Sequence, residues 1–288
     1  MTILLTAKNI GSETKTQRIS LNSITPERLI GLSESEIAKL PIRVGKEFCD
    51  LAEIFTFRHK AENSDPPRMQ IIPQGLILDH IGRGLTAGEI DIEGAAGAYV
   101  GAGMSGGKIT LHGQADYGAG LAMTGGQITL YGNAATQLAG ARPGALTGMA
   151  GGVIIVHGDA LGDVAMGMKR GLVVVKGRVL GMTGATMIGG TIMVMGRMSG
   201  NIGVAMRKGS ILALGGFADS HGNAQALPHL PSFADCLSHD LGIMRLWQRE
   251  AASLGLDDIA DRLTAPRTFH RLMGDRAQNG IGEILFPE

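Results

Sequence analysis

Between residues 88 and 215 the chain returns seven times to nearly the same phrase, read most plainly as GGKITLHG at 106–113, GGQITLYG at 125–132 and GGVIIVHG at 151–158. Repetition at a fixed period means one structural unit used several times, and no other feature narrows the possible folds as far. The second glycine of each pair falls at Gly88, Gly107, Gly126, Gly152, Gly171, Gly190 and Gly209, in steps of 19, 19, 26, 19, 19 and 19. Two positions on stand Ile90, Ile109, Ile128, Ile154, Val173, Ile192 and Ile211. Four positions on stand Ile92, Leu111, Leu130, Val156, Val175, Val194 and Ala213. Alternate apolar residues predict a half-buried strand. Six positions on is always a glycine, Gly94 to Gly215, which predicts a sharp corner or a positive φ. Eight positions on is a small or apolar column, from Ala96 and Ala115 to Met198 and Phe217, read as a second inward stretch. Three residues before the later units stand Met104, Met123, Met149, Met168, Met187 and Met206, a ladder of flexible gap-fillers. An irregular earlier unit starts near Met69, with Ile71, Gly75, Ile77, Gly82 and Leu85 placed in the matching columns.

A 19-residue unit cannot bury its apolar face alone, whereas copies stacked on one another enclose a continuous core. The expected fold is mainly β: a right-handed β-helix, or parallel β-solenoid, of seven to eight coils, rising roughly 4.8 Å per coil. Glycine supports this, because most of the 45 glycines lie between Gly75 and Gly216, and each would cost a helix interior about 1 kcal/mol. The seven extra residues of the 26-residue step belong to a loop at 139–148 around Pro143. Three regions follow: an N-terminal α/β cap at 1–68, the β-helix at 69–217, and a helical and extended C-terminal segment at 218–288. In the cap, residues 2–7 and 53–59 read as strands, Thr25 as the N-cap of a short helix, and 33–41 as another. Residues 232–255 have helical spacing, and the tail from 267 has no period.

Lys and Arg number 26 against 26 Asp and Glu, so no basic surface points to nucleic acid or to a membrane. Cys49 and Cys236 stand apart without metal-binding spacing, which fits a reducing, cytoplasmic setting. The N-terminus lacks a signal-like apolar run, and glycine interrupts every longer apolar stretch, so no segment is expected to span a bilayer.

Catalytic patterns are sparse. The glycine pairs lead into strands, whereas a dinucleotide fingerprint leads into a helix. The outward columns run Asp91, Thr110, Thr129, Ile155, Val174, Met193, Leu212 and Glu93, His112, Tyr131, His157, Lys176, Met195, Leu214. No carboxylates on neighbouring coils divide acid and base roles, and His112 and His157, two coils apart, are too distant for one metal ion. Neither catalytic nor metal-binding residues are assigned; Cys236 and His239 read as packing or surface groups. Two features stand out. Lys169, Arg170, Arg207 and Lys208 form a cationic corner, read as a solvated face with anion binding as the alternative. Ile155, Val174, Met193 and Leu212 form an apolar outer strip that the C-terminal segment or a partner is expected to cover.

The repeats GAGMSGGKITLHG, GLAMTGGQITLYG and GALTGMAGGVIIVHG resemble those of the C subunit of formylmethanofuran dehydrogenase and of the bacterial formyltransferase/hydrolase complex. The repeat region is also similar to the C-terminal domain of the glutamate synthase large subunit. LSESEIAKLPI near the start and GDRAQNGIGEIL near the end resemble only the C subunit's flanks. The resemblance implies a non-catalytic subunit beside an amidohydrolase-like A subunit, a B subunit and a formyltransferase D subunit. That complex would use methanofuran or methylofuran and tetrahydromethanopterin, in formyl transfer and hydrolysis to formate, with no cofactor bound by this chain. The absence of a GN element in PIRVGKEFCDLAEIF favours the bacterial type. A glutamate-synthase-like scaffold and an independent β-helix binding protein are the alternatives.

Overall fold

The computed structural model describes residues 2–9, 11, 16–60, 65–219, 221–225, 230, 232–238, 242–264 and 268–287. Its dominant feature is a sheet of 13 strands. Each repeat contributes one strand: Glu89–Ile92, Ser105–Leu111, Gly125–Leu130, Ala150–Val156, Arg170–Val175, Ile188–Val194 and Lys208–Ala213. All seven run parallel, and the columns of the sequence are the columns of the sheet. Ile90 opposes Ile109, which opposes Ile128, and the line continues through Ile154, Val173 and Ile192 to Ile211. The 26-residue step leaves this register intact, because the extra residues leave the stack before Gly148 and Met149 bond back to Gly167 and Ala139.

Sterics explain the two glycine columns differently. The second glycine of each pair has a positive φ, from +74° at Gly107 to +109° at Gly209. From Gly126 onward a Cβ there would also meet the methionine of the preceding coil, 2.6 Å from the Met104 methyl at Gly126 and 2.8 Å from that of Met168 at Gly190, whereas at Gly107 it would meet Leu85 and at Gly88 Pro26. Glycine and methionine are therefore one packing device, each coil's thioether filling the space left by the next coil's missing side chain. Of the glycines six positions on, expected at a sharp corner or a positive φ, only Gly94 has a positive φ. The others are needed because a Cβ would strike the backbone of the coil before; at Gly132 it would contact Gly113.

Away from the sheet, single parallel bridges link Ala96, Ala115, Ala134, Ala160, Val179, Met198 and Phe217 in succession. A third line runs Leu138, Val164, Thr183, Ile202. The second inward stretch is thus a column of bridged residues, too short for a strand. Its members share one apolar core with the sheet's inner columns and the methionines. Side-chain oxygens satisfy backbone donors between the bridges: Asn133 accepts from Asp159 N–H at 2.9 Å, and Asp159 from Arg178 N–H at 2.7 Å.

The first rung differs from expectation. Met69 pairs with Ile90 and Ile71 with Ile92, an offset of 21 residues, so Ile71 lies one inward position beyond its assigned column. Ile77, assigned to the inner bridge column, is exposed, and Leu78 is buried instead. Beyond this rung Thr2–Ala7 adds in parallel and Phe55–Lys60 antiparallel, the latter entered from a short helix at Leu51–Ile54. A four-stranded sheet of Glu47–Asp50, Pro41–Val44, Arg18–Ser20 and Ile77–Asp79 completes the N-terminal part. Thr25 holds the N-cap position of the helix Pro26–Leu29 but makes no capping hydrogen bond, whereas Ser33 and Glu36 form a full capping box.

The tail departs most from the sequence reading. Gly282–Pro287 adds a parallel rung beside Lys208–Ala213, with Ile284 opposite Ile211. Phe269–Gly274 and Ala234–Ser238 follow antiparallel. Residues 234–238, expected in a helix, are therefore strand, and the helices are Ile243–Ser253 and Asp257–Thr264. At each end of the sheet the outermost strand is an antiparallel one from the chain's own flanks, Phe55–Lys60 at one end and Ala234–Ser238 at the other.

Candidate functional site

The sheet's outer face divides into two. Ile155, Val174, Met193 and Leu212 are buried, and Leu285 of the tail strand extends their line opposite Leu212. They pack against Met244, Trp247 and Ala251 of one C-terminal helix and Ile259, Ala260 and Leu263 of the next. Both helices present an apolar stripe to the sheet and charges to solvent. Arg262 donates to the Leu214 carbonyl at 3.1 Å, and Lys176 reaches Asp258 at 3.0 Å. Of the two covers considered for the strip, the chain itself supplies one.

Towards the N-terminus the outer face is polar. His112, Tyr131 and His157 stack on successive coils, with ring centroids 5.2 and 4.6 Å apart. Tyr131 thus separates the two imidazoles. His112 Nε2 lies 2.9 Å from Asp91 Oδ1, and Asp91, Glu93 and His112 bring three ligand atoms within 4.8 Å of one another. No metal site was assigned from sequence; the signal lay in the two outward columns, where Glu93 and His112 are neighbours on adjacent coils and Asp91 is two residues away. The set is partly exposed and supplies three ligand atoms, one short of a closed structural zinc site. At the other end of the stack, burial pushes the His157 pKa down and Lys176 pushes it further, against an opposing pull from Asp258. The neutral imidazole is therefore favoured at the rim of the helical cover.

Lys169, Arg170, Arg207 and Lys208 are all exposed at the strand entrances. Ile188 stands between Lys169 and Arg207 in the same column, and its backbone pairs with Lys208. Among the described residues no carboxylate forms an ion pair with these four. His239 lies outside the described residues. A groove of about 580 Å³ runs between the N-terminal sheet and the bridge columns, lined by Arg18, Gln114, Asp116, Asn133 and Leu161 among others. Arg18 binds the buried Asp79 through two contacts of 2.7 Å and reaches Asp116 at 2.9 Å. Asp79 also accepts from Ala98 N–H at 2.8 Å. These charges tie the N-terminal sheet to the stack, and the Arg18 hydrogen bond holds the Asp116 pKa down.

No protein-family model matches the chain, and no curated protein matches it either. Among solved structures, it is similar to a chain of the formyltransferase/hydrolase complex (FhcABCD) from Methylorubrum extorquens, whose structure was determined in complex with methylofuran. The two are 30% identical with a TM-score of 0.82, and the match covers 99% of each chain. The chain belongs to the family of formyltransferase/hydrolase complex subunits. Because the match covers 99% of each chain, the likeness to that chain takes in the regions beyond the repeats as well as the repeats. No helix of the described formyltransferase/hydrolase-type subunit is long and apolar enough to cross a membrane.

Proposed function

We propose that the chain is a non-catalytic, C-type structural subunit of a cytoplasmic formyl-processing complex, and that its repeats wind as a right-handed β-helix. The observation that carries this reading is the full-length likeness to a chain of the FhcABCD complex. The parallel register of seven successive strands supports the winding, since parallel crossovers are right-handed in nearly all proteins. The disposition of polar groups supports a structural role. Asp79, Asp159 and Asn133 direct their oxygens to backbone donors and arginines of the fold itself. Asp275 likewise accepts from the N–H groups of Ala205 and Ala277.

The partners in this reading are an amidohydrolase-like A subunit, a B subunit and a formyltransferase D subunit. Formyl transfer from tetrahydromethanopterin to a furan cofactor and hydrolysis to formate take place on those chains. Methylofuran is favoured over methanofuran as the cofactor, because the similar complex was solved with it. The corner of Lys169, Arg170, Arg207 and Lys208 serves as a contact for an anionic tail, by an attraction that salt weakens. The match takes in both flanks, which favours this reading over a glutamate-synthase-like domain or a free-standing binder. Affinity purification of the tagged chain from its host, followed by mass spectrometry, tests the assignment. Formyltransferase and amidohydrolase-like subunits are expected; glutaminase and flavin-binding chains, or no partner, would overturn it.

A further inference from the structure

Where the N-terminal sheet, the first coil and the insertion loop meet, two hollows of about 280 and 270 Å³ share a wall made by His80 and Arg83. The first is bordered by Arg43 and Phe48, the second by Tyr99, Arg142 and Pro143. Their floor is organised. His80 stacks on Tyr99 at 5.1 Å, Tyr99 meets Tyr117 edge-on at 5.4 Å, and Ser20 Oγ lies 3.0 Å from His80 Nδ1. Arg83 is positioned by Asn22 at 3.0 Å.

Charge is balanced over the whole chain but not here. Arg18, Arg68, Arg178 and Arg271 each approach a carboxylate within 2.7–2.9 Å. Among the described residues Arg43, Arg83 and Arg142, like Arg170 and Arg207, approach no carboxylate, and all three are exposed at the borders of these two adjoining hollows. Phe48 at its border is 73% exposed, an aromatic ring left in water beside two guanidinium groups. Arginine and aromatic side chains in a preorganised hollow are the usual anchors of a protein interface, and guanidinium forks match the geometry of a carboxylate, as they do that of a phosphate. The position adds a second argument: Arg142 and Pro143 belong to the one insertion that breaks the 19-residue step, and they line the second hollow.

We propose that this groove docks an acidic segment of another polypeptide of the complex, with two or more carboxylates meeting Arg43, Arg83 and Arg142 and an apolar residue meeting Phe48. The inference rests on the complex membership argued above and assigns one of its interfaces.

Arginine-selective labelling with phenylglyoxal, read by mass spectrometry on the isolated chain and on the assembled complex, tests it together with the triple variant R43A/R83A/R142A. The three arginines are expected to react in the isolated chain and to be protected in the complex. The variant is expected to melt as the parent does and to bind the partner subunits at least tenfold more weakly. Equal labelling in the complex and the free chain, or unchanged affinity of the variant, would overturn the proposal. So would protection of the free chain by millimolar citrate with no protection by partners, which would make the groove a small-anion site. If the unmodified chain assembles with no partner at all, the membership reading falls and this inference with it. If it assembles with its arginines still reactive, only the inference falls.

Discussion

Gly126 sits at φ +83°, where a Cβ would lie 2.6 Å from the Met104 methyl and 2.7 Å from the Gly106 carbonyl oxygen. The methionine can swing away, but the backbone oxygen cannot without displacing a coil. Gly126→Ala is therefore expected to cost more than about 2 kcal/mol, read as a shift in the urea unfolding midpoint. A variant as stable as the parent would contradict this packing. His157 offers a pH test. Its folded pKa is lowered by burial and by Lys176, so the folded chain resists protonation more than the unfolded chain does. The contribution to stability is full above the ordinary value of 6.5 and falls as pH drops below it towards the folded pKa. His157→Phe keeps a ring against Tyr131 and removes the proton, so the loss of thermal stability between pH 7 and pH 5 should be smaller in the variant. Equal slopes would show that His157 is not the group responsible. Neither residue's role was fully legible in the sequence: the glycine column was plain, but the methyl filling it appears only when adjacent coils are placed against each other.

The helical cover is the element on which the outer strip depends. Trp247 is buried between the helices and the sheet, in the cluster containing Val174 and Met193. Trp247→Ala is expected to cost about 3–5 kcal/mol of cover stability. Hydrogen exchange should show this as faster exchange over 243–264, with the inner strands still protected; uniform loosening of the whole chain would mean that cover and stack are one cooperative unit. The strip itself was readable because seven repeats sample each column seven times, so a change from Thr129 to Ile155 stands out. The tail rung was not readable. The segment around Ile284 occurs once, has no period to expose it, and becomes a strand only by pairing with Ile211. The same holds for the first rung, where the offset of 21 residues moved Ile71 out of its assigned column. The groove of Arg43, Arg83 and Arg142 draws on three separate segments, and no sequence spacing announces it.

At the scale of the whole molecule, a long sheet ends on both sides in strands of its own flanks and is covered over the apolar part of its outer face by its own helices. Among the described residues, the surfaces open to other chains include the polar half of the outer face, the cationic corner and the arginine-lined hollows. In the structural role proposed for this formyltransferase/hydrolase-type subunit, its surfaces and not its interior carry the function. Formate release from a formylated furan amide, measured for the purified chain alone and for the purified complex, tests that claim most directly. The complex is expected to turn over and the isolated chain to release no formate above the uncatalysed rate. Turnover by the isolated chain would contradict a non-catalytic role.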